Sequence, residues 1–160
     1  TIYQLLDTKG LFLDNLFCDD YLKYNISAAS WSFMIETSVR GWALKRSGTG
    51  SYTLWESWGM KLEKIVNGPT NSLRLGTGSV DIGQWNFHNL LNDNDFYKVL
   101  AGVDDNQAFI KIYDKKNTLL VEQSKSGSGT LGGDLYIGST WPSYTNQWND
   151  IIDFVKIYTK

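Results

Sequence analysis

The feature that most constrains this chain is a two-residue alternation of apolar and polar side chains that keeps returning along its 160 residues, with little helical periodicity anywhere. The run Ser30 to Thr37, S-W-S-F-M-I-E-T, sets Trp31, Phe33 and Ile35 on one face and Ser32, Met34 and Glu36 on the other. Ala108 to Tyr113 alternates in the same way. A turn is predicted at Asp114 to Asn117, and Leu119 to Gln123 is the expected returning strand. The pattern predicts further strands at Leu11 to Leu16, Gly41 to Lys45, Ser51 to Trp55, Met60 to Val66, Leu73 to Leu75, Tyr97 to Val103, Leu135 to Gly138 and Ile151 to Tyr158. Ser124 to Gly133 reads as one long Gly/Ser loop inside this pattern. Trp85 to Asp95 fits a short helix or a meandering loop. Many strands at short intervals without long helices indicate an antiparallel sandwich or barrel.

Composition agrees with that pattern. Aromatic residues make up 14% of the chain, with fifteen Gly and only two Pro, a mixture suited to pleated surfaces joined by turns. The length suits a single domain over 1–160 with a sizeable core. A net charge of -2 without a lysine or arginine cluster argues against a nucleic-acid partner. No apolar run approaches the roughly 20 residues of a membrane-spanning helix, so membrane insertion is not expected. Cys18 is the lone cysteine, which excludes an intrachain disulfide; its ordinary role is that of a small buried hydrophobe.

Three segments in order resemble the concanavalin A-like lectin/glucanase superfamily, and within it the laminin-G-like jelly-roll domains. The first is Gly10 to Asn15, G-L-F-L-D-N, followed by D-D-Y-L-K-Y and S-W-S-F-M-I-E-T. The second is the central hairpin from Phe96 to Leu120. The third is G-D-L-Y-I-G-S followed by I-I-D-F-V-K-I-Y. The resemblance implies an all-β, antiparallel jelly-roll β-sandwich. It also implies a structural calcium, because Asp153 matches the closing-strand Asp that in many members holds the ion with carbonyls near the N-terminus. The alternative for Asp153 is a strand carboxylate paired with a lysine or a backbone amide.

Catalysis finds little support. A glucanase strand needs E-x-D-x-x-E so that its acids share one face of the cleft, and none of Glu36, Glu56, Glu63 and Glu122 begins such a motif. His88 is the lone histidine and has no nucleophile motif, so it reads as a loop histidine with ordinary hydrogen bonds. Asn92 to Asp95 and Asp104 to Asn106 lack EF-hand spacing and read as solvated turns. The aromatic excess points instead to sugar binding, in which a flat ring takes the C–H patch of a sugar and amides fix its hydroxyls. Trp141, Tyr144, Asn146, Gln147, Trp148 and Asn149 form such a loop. Trp55 and Trp58 form a second cluster, with Trp42 close in sequence, and packing over the sandwich rim is the competing fate of each ring. Trp31 is expected in the core, and the Phe109, Lys111, Tyr113 strand face is expected to be open.

The expected function is therefore a non-catalytic carbohydrate-binding module for a polysaccharide or glycan, located outside the cell or on a cell or virion surface. The alternative is a structural or adhesive surface domain that uses exposed aromatics for a protein partner or self-assembly.

Overall fold

The computed structural model describes residues 4–7, 22–57, 60–67, 70–76, 81–84, 87–139 and 146–159. Its strands are β1 (Gln4–Asp7), β2 (Leu22–Ser30), β3 (Phe33–Arg40), β4 (Thr49–Ser57), β5 (Met60–Asn67), β6 (Thr70–Gly76), β7 (Asp81–Gln84), β8 (Phe96–Asp104), β9 (Gln107–Tyr113), β10 (Leu119–Ser126), β11 (Leu131–Ile137) and β12 (Ile152–Thr159). They form two antiparallel six-stranded sheets, ordered β1-β12-β3-β8-β9-β10 and β2-β11-β4-β5-β6-β7, the all-β jelly-roll sandwich that was expected. The expected strand at Leu11 to Leu16 lies outside the described residues.

Alternation builds the core. Phe33, Ile35, Val99, Ala101, Ile110 and Ile112 of the first sheet are closed to solvent, as are Leu62, Leu73, Leu75, Leu135 and Ile137 of the second. Fully burying each larger side chain contributes about 1.5–3 kcal/mol. The tight turn between β8 and β9 is Asp105-Asn106, both at positive φ (47° and 61°), the backbone form that matches the twist of a two-residue hairpin. After β9, Asp114 Oδ1 accepts hydrogen bonds from the N–H groups of Lys116 and Thr118, each at 2.9 Å, which makes the predicted turn.

Three local expectations are corrected. Gly41–Lys45 is a short helix, α1, and not a strand. Its first amides are taken by a distant turn: Gly41 N–H donates to Asp95 O at 2.9 Å and Trp42 N–H to Asp93 O at 3.0 Å. Trp31 is 67% exposed, because β2 stops at Ser30 and a bend at 31–32 breaks the alternation before β3 begins. The supposed loop from Ser124 to Gly133 is mostly strand, leaving only 127–130 between β10 and β11. Among the described residues no helix is long and apolar enough to cross a membrane.

Candidate functional site

At one end of the sandwich three segments distant in sequence meet: the end of β3 with α1, the turn before β8, and the approach to β12. Arg40, Trp42, Asp93, Asn94, Asn149 and Asp150 line an open groove of about 370 Å³ between them. Trp42 is 45% exposed, one of the few large apolar side chains among the described residues to face solvent. Its ring is backed by the Arg46 guanidinium, 5.2 Å from the centroid. Arg46 also lies 4.1 Å from the Tyr52 ring and 4.8 Å from the Trp148 ring, and its Nε donates to Ala43 O at 2.9 Å. Burial lowers the Arg46 pKa to about 10, against the raising influence of Tyr52 and Asp150, so the guanidinium stays charged at neutral pH and the cation–π stack persists.

The charges in the groove are matched. Arg40 grips the buried Asp150 carboxylate through Nε, at 3.1 and 3.0 Å from the two oxygens, and through a further contact from its terminal nitrogen. Lys45 Nζ lies 2.8 Å from Asp93 Oδ1. Beside Trp42, the Asn94 and Asn149 amides complete the lining, both exposed. The arrangement offers one flat apolar face, hydrogen-bonding amides and fixed carboxylate acceptors.

The expected residues divide. Asn149 lines the groove at φ 53°, a backbone form that asparagine tolerates better than most residues. Asn146 is exposed and Gln147 half-buried, and neither forms the groove wall. Trp55 and Trp148 are fully buried, which corrects the expectation of exposed stacking faces. Trp55 sits on β4 between Leu62 of β5 and Ile137 of β11. Trp148 is drawn inward because its N–H donates to Gly138 O at 2.9 Å while Asn146 O accepts from Thr53 N–H at 2.7 Å, laying this segment along the sandwich end. Trp58, Trp141 and Tyr144 lie outside the described residues. Asp153 sits half-buried at the irregularity between Ile152 and Phe154. Among the described residues no group of three His, Cys, Asp or Glu side chains converges. Most of the N-terminal stretch whose carbonyls would share an ion with Asp153 lies outside the described residues.

His88 does more than the loop reading gave it. It lies in a 3-10 turn, His88–Leu90, stacked on Phe87 with centroids 4.6 Å apart, and its Nε2 is 3.0 Å from Lys64 Nζ. Lys64 is fully buried; burial, with help from the Arg46 charge, lowers its pKa to about 7. His88 is likewise lowered, by burial first and then by the charges of Lys64 and Lys45. The signal was present in the sequence, since Met60, Leu62, Lys64 and Val66 share one face of their strand.

No family model and no curated protein matches this sequence. Solved structures do match. Domain 4 of AbnA, a GH43 extracellular arabinanase from Geobacillus stearothermophilus solved with arabinotriose, aligns with 99% of this chain and 76% of its own at TM-score 0.58 and 13% identity. The enzymatically active domain of tailspike protein 2 from bacteriophage CBA120 aligns with 96% of this chain at TM-score 0.57 and 13% identity. The full-length tailspike gives TM-score 0.56. The fold is the concanavalin A-like jelly roll. This chain spans about a quarter of the tailspike chains, 27% and 24%, and at such low identity the likeness establishes the fold alone.

Proposed function

We propose that this domain is a non-catalytic carbohydrate-binding module whose ligand lies in the groove beside Trp42. The observation that carries the reading is a half-exposed indole, stacked from behind by Arg46, next to two exposed amides and two salt-bridged carboxylates in one groove. A sugar ring presents both an apolar C–H patch and a fringe of hydroxyls, and this groove answers each of them. Asp150 and Asp93 are each held against a cation, Arg40 and Lys45, which fixes them as hydrogen-bond acceptors for hydroxyls. The similar arabinanase domain was solved with a bound trisaccharide, which supports a sugar ligand. That arabinanase is extracellular, and two further similar structures are of a phage tailspike, which supports a setting outside the cell or on a particle surface.

Glycan-array screening followed by calorimetric titration tests this. Trp42→Ala is expected to cost about 1–3 kcal/mol of binding while leaving the melting temperature nearly unchanged. If no glycan binds, or if the variant binds as well as the parent, the reading falls. The alternative, a structural or adhesive domain, draws support from Trp31, exposed beyond the other end of β3 from Arg40. Sedimentation would favour it if association occurred at high concentration and vanished in Trp31→Ser.

A further inference from the structure

We propose that the groove beside Trp42 continues across the Asn92–Asp95 turn into a second depression, so that the ligand is an extended oligosaccharide chain and not a lone terminal sugar; this rests on the carbohydrate reading. The turn stands between two hollows and divides its side chains between them. Asp93 and Asn94 face the 370 Å³ groove, while Asn92 and Asp95 line a second depression of about 190 Å³. Asn92 and Asp93, and again Asn94 and Asp95, are chain neighbours with Cα atoms about 3.8 Å apart that line different hollows, so one ligand chain can touch both sides.

The second hollow has complementary chemistry. Leu90, Phe96 and Leu120 give it apolar surface, and the Lys115 ammonium, 3.6 Å from Asp95 Oδ1, lies on its charged rim. An apolar surface suits the C–H face of a sugar, and the polar rim suits its hydroxyls.

The ridge is held in place by the protein itself. Asp95 N–H donates to Asn92 O at 3.3 Å, and Asn92 Nδ2 donates to Asp95 Oδ2 at 3.2 Å. Asn92 N–H donates to Tyr97 Oη at 2.8 Å, while the Asp93 and Asp95 carbonyls accept from α1. A ligand crossing this turn therefore has little left to order, which favours gain in affinity with each added contact.

The test is calorimetric titration with xylo-, malto- and arabino-oligosaccharides, each from monosaccharide to hexasaccharide, against the parent, Lys115→Ala and Leu90→Ser. The Lys115 side chain is 66% exposed and Leu90 about half exposed, at 49%, and thermal melts check that the variants are folded. Affinity is expected to rise about tenfold or more from the shortest bound member to the longest. The variants should lose most of that rise and keep the affinity for the shortest member. Affinity independent of length, or variants that weaken short and long ligands equally, overturns the second subsite and leaves the carbohydrate reading intact. Failure of every ladder, together with an empty glycan array, overturns the carbohydrate reading and this inference with it.

Discussion

Lys64 occupies an inward position of β5, and its ammonium meets an imidazole nitrogen and, 4.9 Å away, the ring of Phe87. Removing that charge from water is costly, so the folded state prefers the neutral amine. With a folded pKa of about 7 against 10.5 for an ordinary lysine, the unfolded chain holds more protons between those values. Stability should accordingly rise with pH across that window, the cost being full below about pH 7 and gone above about 10.5. Lys64→Met is expected to stabilise the protein most at pH 5–7, with the gain shrinking as the pH rises to 10. Urea melts of both proteins at several pH values check this; a gain independent of pH would mean that packing and not charge is responsible. The buried indoles make the opposite case, for Trp148→Ala and Trp55→Ala should each cost about 3–5 kcal/mol of stability. Little loss in either melt would show that the ring is not part of the core.

At the scale of elements, the groove depends on how closely α1 approaches the turn before β8. A Cβ built on Gly41 would meet Asn92 O at 2.0 Å, so only glycine permits that approach. Gly41→Ala sets two effects against each other. Alanine favours a helix interior by about 0.8–1.0 kcal/mol, but Gly41 opens its helix and the clash is with backbone, for which overpacking costs about 1–3 kcal/mol. The expected result is a net loss of stability together with weaker glycan binding, read by thermal melt and titration. A more stable variant with unchanged binding would show that the turn moves aside freely. The hairpins were legible because Asp105-Asn106 and Asp114 to Asn117 act through their own backbone and nearest neighbours. The helix was not, because G-W-A-L-K alternates well enough for a strand and the acceptors for its amides lie some fifty residues away.

For the whole molecule, the calcium proposal at Asp153 is a statement about global stability. An ion that binds only the folded chain raises the melting temperature by mass action, by about 2.7 kcal/mol of stability at a hundredfold excess over its dissociation constant. Returning calcium after chelation should raise the melting temperature of the parent and leave Asp153→Ala unmoved. An unchanged parent removes the ion from Asp153. Strand alternation, a property of adjacent residues, was enough by itself to determine an antiparallel sandwich or barrel and many of its inward faces, and the resemblance narrowed that to the jelly-roll sandwich. The sequence also named Asn149 as a candidate, and it lines the groove. Only the tertiary structure decided which aromatic rings meet water, turning Trp31 outward and Trp148 inward, and only it placed Trp42 beside Asn94 and Asn149. The reason is that a ring is buried by whatever distant segment is laid over it, and hydrogen bonds such as Thr53 N–H to Asn146 O, which lay those segments down, leave no periodic mark on the local sequence.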